Sequence, residues 1–90
     1  MTKLEIANKI IETVTEIVEV MNANQDNEAV QEKYLTAYQT MKQFAESIGL
    51  LLECTRAEYF DGKIDFIAVY CGNEIYPIAS AFIDTITYPE

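Results

Sequence analysis

The side chains in this sequence best suited to chemistry are carboxylates. Fifteen Asp and Glu stand against six Lys and Arg, and there is no histidine. Without an imidazole the chain lacks the commonest general base, the usual zinc ligand and every Ser-His or Cys-His nucleophile pair. Two carboxylates sharing a proton remain as an acid–base device. Glu58 and Asp65 are the candidates, because a two-residue hairpin tip at Asp61-Gly62 sets them opposite one another. At a solvated hairpin end, with Arg56 and Lys63 beside them, such acids are tolerated as surface charge. No enzyme activity is expected.

The other chemical candidates are weaker. Cys54 and Cys71 match neither a disulfide framework nor a metal-ligand spacing. In the register implied by Asp61-Gly62 they are diagonal neighbours, with Cβ atoms somewhat less than ~7–8 Å apart, beyond a relaxed disulfide. Buried structural thiols are expected. The segment DGKID at 61–65 lacks the alternating acids and distant glutamate of a calcium loop. Gly49, Gly62 and Gly72 are isolated, so no phosphate cradle forms. Neither metal nor cofactor is expected.

The elements that position these residues are legible from periodicity. Leu4, Ala7, Ile11, Val14, Val18 and Met21 repeat at steps of three and four, widened by Ile6, Ile10, Ile17 and Val20, which predicts a long amphipathic helix. Thr2 and Glu5 form a capping-box start. The β-branched run IETVTEIVEV gives up roughly 0.5 kcal/mol per residue in propensity, which burial must offset. NANQDN at 22–27 predicts a polar connector. A second stripe follows at Val30, Tyr34, Ala37, Met41, Phe44 and Ile48, with Leu35, Tyr38 and Ala45 beside it and Gly49 as the left-handed stop. Residues 2–49 therefore predict an antiparallel helical hairpin packed along matching seams.

From Leu50 the period changes to two. Asp61-Gly62, and more weakly Gly72-Asn73, predict strands near 50–60, 63–71 and 74–80, paired in chain order. Pro77 suits an edge strand, since it cannot donate to a ladder. The expected fold is one α+β domain over 1–90: the helical hairpin packed on a small antiparallel three-stranded β-meander spanning 50–80. In this register Cys54 faces Val69, Thr55 faces Ala68 and Arg56 faces Ile67. One sheet face packs on the helices, and the other, carrying Ile67, Val69, Tyr76 and Ile78, needs a cover. Residues 81–90, a second copy in a homodimer, or a protein partner would supply it. Phe82, Ile83 and Ile86 leave helix and strand open for that last segment.

A net charge of −9 repels phosphate backbones and makes direct nucleic-acid binding unexpected, while favouring basic proteins as partners. The opening MTKLEIANK has no secretory pattern and no apolar run reaches membrane-spanning length, so a cytoplasmic location is expected. Glu5, Glu12, Glu16 and Glu19 fall in a narrow arc of the first helix, with Lys9 the only base. Glu28 and Glu32, and Glu53, Glu58, Asp61 and Asp65 on the sheet, extend the acidic surface. Tyr59 beside the hairpin tip and Tyr88 near the end are the expected exposed anchors, as tyrosine is enriched at interface hot spots. Tyr34 and Tyr38 are expected in the core. Size, acidity and plan are similar to those of small phage-encoded inhibitors of bacterial defence, such as anti-CRISPR proteins, a class of many folds with no shared motif. The expected function is a small acidic protein-binding inhibitor, a nucleic-acid mimic for a basic nucleic-acid-binding effector. The partner-binding candidates are Glu12, Glu16, Glu19, Glu58, Tyr59, Asp61 and Asp65. The alternatives are a homodimeric assembly protein joined through Ile67, Val69, Tyr76 and Ile78, and a small-ligand sequestering protein.

Overall fold

A computed structural model of the chain describes residues 1–56 and 63–83. The first helix, α1 (Lys3–Ala23), starts at the expected capping box: Thr2 accepts from the Glu5 N–H, and the Glu5 carboxylate accepts from the Thr2 N–H. It ends two residues later than the polar run suggests, so Asn22 and Ala23 are helical. Four residues on, Asn27 caps the second helix, α2 (Glu28–Ser47), accepting from the Val30 N–H at 3.2 Å. Gln31 ties the hairpin shut by donating to the carbonyls of Met21 and Asn24. Gly49 takes φ +81° and turns the chain into the sheet, a conformation that a Cβ would strain.

Three antiparallel strands follow in sequential order: β1 (Leu50–Arg56), β2 (Ile64–Cys71) and β3 (Ala79–Phe82). The α+β class, the helices packed on the sheet and the strand order all agree with the expectation. Register differs. Cys54 faces Ile67 and Thr55 faces Phe66, two residues away from the expected pairing, and a bulge brings Arg56 opposite Ile64. A shift of two leaves every side chain on its original face. The tip itself, Asp61-Gly62, lies outside the described residues.

The third strand is the larger correction. It was expected at 74–80 but begins at Ala79, because the chain after the turn at Gly72-Asn73 does not pair at once. Pro77 has no N–H to offer a ladder. Pairing resumes near Ile78, whose N–H donates to the Val69 carbonyl at 2.8 Å. Ala81 and Phe82 are therefore strand residues. Ile83 is buried, its N–H donating to the Asp65 carbonyl at 2.7 Å.

The face carrying Leu50, Leu52, Cys54, Ile67, Val69, Ala79 and Ala81 is the one the helices cover. Ile67 and Val69, expected at an open dimer interface, are both 0 % exposed in the core. Ile78 is half-buried against that core, and Tyr76 sits in the connection between β2 and β3. α1 lies over β2, β3 and α2, and buries Ala7, Ile10, Ile11, Val14, Ile17, Val18 and Met21. α2 touches only α1 and β1 at comparable extent, and Ala45 is its one fully buried residue. Its seam centres on Tyr38, Met41 and Ala45, leaving Phe44 48 % exposed.

Candidate functional site

The acidic row is positioned by the packing of α1. With its wide apolar arc against sheet and α2, the charged residues between those positions must face solvent. Glu5, Glu12, Glu16 and Glu19 are all exposed, with Lys9 alongside. Glu5 is committed to the capping box. Among the described residues, Glu12, Glu16 and Glu19 make no ion pair or hydrogen bond. Those three span about 10 Å of helix axis, one charge per ~5 Å, against 3.4 Å per phosphate along one DNA strand. The row thus offers roughly two-thirds of a single strand's axial charge density. Glu28 and Glu32 on α2 and Glu53 on β1 are exposed as well.

The remaining candidates separate. Glu58, Tyr59 and Asp61 lie outside the described residues, as do Tyr88 and the Glu58–Asp65 pairing. Asp65 is half-buried, and its Oδ1 is enclosed without a hydrogen-bond partner. It does not belong to an open acidic patch.

A second surface lies on the outer sheet face, where Leu51, Glu53 and Thr55 run beside Phe66, Ala68 and Tyr70, then Ser80 and Phe82. Phe66 and Phe82 form a tilted ring pair with centroids 4.8 Å apart, yet Phe82 is 83 % exposed. Sequence parity placed these residues together but not on the open side. Strand alternation alone does not say which face meets the helices.

Two buried polar features complete the picture. Asn22 donates from Nδ2 to the Ile64 carbonyl at 2.8 Å and accepts at Oδ1 from the Ile64 N–H at 3.0 Å. Its amide acts as a one-residue strand partner for the start of β2. The signal was present in the sequence: position 22 continues the Ile11, Val18 line by one turn. Its neighbours in NANQDN disguised it as a connector. At the adjoining corner Tyr38 lies beside Cys54. Burial, the Cys54 thiol and Glu53 together push Tyr38 well above the usual phenol range.

Of the hollows on the described surface, one of about 620 Å³ lies over the interhelical turn from Ala23 to Glu28, but it is polar and open to solvent. A smaller, more enclosed one lies beside Tyr38 and Cys54. Among the described residues no group of His, Cys, Asp and Glu is arranged to hold a metal, and no helix is long and apolar enough to cross a membrane.

Among the described residues, fold and surfaces together define a two-layer α+β arrangement with an unpaired acidic row on one helix and an outer sheet face that mixes aromatic with polar side chains. Comparison with protein families, curated proteins and solved structures finds no match.

Proposed function

We propose that this protein is a small cytoplasmic inhibitor that works by contact, presenting acidic side chains to a basic nucleic-acid-binding protein. An anti-CRISPR type of role is its most concrete form. The observation carrying it is the row of Glu12, Glu16 and Glu19, exposed and unpaired. An ordinary surface helix mixes signs along such a row. Glu58, Tyr59 and Asp61 are assigned to the same contact by sequence. Charge sets encounter rate and orientation, while apolar contacts supply residence time. The test is to isolate the bound partner, measure its displacement from nucleic acid, and repeat with Glu12, Glu16 and Glu19 all changed to Gln. Exposed charge pairs contribute about 0.2–1 kcal/mol each, so affinity should fall roughly tenfold and depend less on salt. Unchanged affinity and an unchanged salt slope would sink the electrostatic mechanism.

Exposure of Phe82 beside Phe66 favours a second reading, self-association through the outer sheet face. Three strands at ~4.8 Å spacing and ~7 residues of length present only about 300–350 Å². Stable interfaces bury about 800 Å² per partner. By itself this face supports a weak contact, not an obligate dimer.

A further inference from the structure

The helices and sheet leave space at one corner. Val18 and Met21 of α1, Leu35 and Tyr38 of α2, Cys54 of β1 and Ile64 of β2 surround a cavity of about 140 Å³. Close-packed interiors have few voids larger than a water molecule. A group filling this partly open one would gain dispersion contacts with the side chains that line it. Water would find no more than the minimum of partners, because it needs two to four and among the described lining side chains only the Tyr38 hydroxyl and the Cys54 thiol are polar. We propose that the cavity is a binding site for a small uncharged molecule with a single-ring apolar body and one hydroxyl or N–H donor.

Size sets the first limit. An apolar protein cavity of ~150 Å³ admits benzene, so a single ring fits and a fused ring system does not. Polarity sets the second. The Tyr38 hydroxyl lies beside the Cys54 thiol in the lining, and its oxygen can accept from a ligand's donor. A charged ligand would lose its hydration to apolar walls without a counter-charge. Access is through α2, where Leu35 is 42 % exposed while also lining the cavity. The site is separate from the acidic row, so either can fail without the other.

Phenol and toluene are the probes, each titrated into isotope-labelled protein while backbone amide signals are followed, with benzylamine as the charged control. Phenol and toluene should both shift amides around the six lining residues, and benzylamine should not. Tyr38→Phe keeps the ring and removes the hydroxyl, so it should weaken phenol about fivefold and leave toluene unchanged. Leu35→Trp should fill the cavity and abolish both signals while the far-ultraviolet helix signal stays native. Should that variant not fold, the phenol–toluene split in Tyr38→Phe decides. The proposal is overturned by absent or scattered shifts up to ~10 mM probe, by binding that survives in folded Leu35→Trp, or by a Tyr38→Phe variant that treats both probes alike.

Discussion

Asn22 carries more of the architecture than its place in a polar run suggests. Both backbone groups of Ile64 depend on its amide, and a buried backbone group left unpaired costs about 1–3 kcal/mol. Asn22→Ala is expected to lower unfolding free energy by about 2–4 kcal/mol, measured by urea denaturation. Asn22→Asp has a sharper signature. Its carboxylate would face the Ile64 carbonyl, so the folded state would favour the protonated acid and raise its pKa above the unfolded value. The variant should then approach wild-type stability below the unfolded carboxyl range and lose it as pH rises through the folded value. A stability deficit that grows toward low pH would contradict this account. Tyr38 obeys the same sign at the alkaline end. Its pKa is raised above 10.0, so its contribution is complete below that pH and is lost as pH climbs through the folded value. Thermal unfolding of Tyr38→Phe should therefore fall less steeply than wild type above pH ~10.

At the scale of elements, α1 and α2 have similar length and unequal burial. α1 lies across β2, β3 and α2, whereas α2, among the described residues, packs mainly on α1 and the edge strand β1. That difference explains why the α1 stripe of the sequence survives almost intact while Phe44 of the α2 stripe faces solvent. Periodicity reports which residues share a side of a helix, and the neighbours decide how much of that side is covered. In the sheet the same ambiguity concerns the two faces. Ile67→Ala should cost about 2–5 kcal/mol by leaving a cavity in the core. Phe82→Ala should cost at most ~1.5 kcal/mol, the value of its ring pair with Phe66. Reversed magnitudes in chemical denaturation would mean that the helices cover the other face. Gly49 joins the two halves at φ +81° with only the flexible Lys3 Nζ near a Cβ position. Gly49→Ala should therefore lose about 1–2 kcal/mol from backbone strain alone.

For the whole molecule, charge and apolar surface act in opposite directions. A net charge of −9 opposes contact between copies, whereas the second reading proposed above would join them through Leu51, Phe66, Tyr70 and Phe82 on the outer face. Salt screens the repulsion and leaves the apolar attraction intact. Light scattering should show monomer at low salt and self-association that grows with salt and concentration, removed by Phe82→Ser. Association that weakens with salt would place the contact on charged groups. The helical hairpin, its capping box, the left-handed glycine, the strand order and the outward glutamates of α1 all follow from the sequence, because each depends on local periodicity or on a residue's own backbone preference. Where β3 starts was less legible: turn residues at Gly72-Asn73 mark a reversal but not the distance before pairing resumes, and Pro77 delays it. Tertiary structure alone decided that Ile67 and Val69 face inward, which backbone groups Asn22 engages, and that Tyr38 meets Cys54 beside a cavity. Each of these depends on contacts between segments far apart in the chain, and period-two alternation is symmetric between the two faces until the helices take one of them.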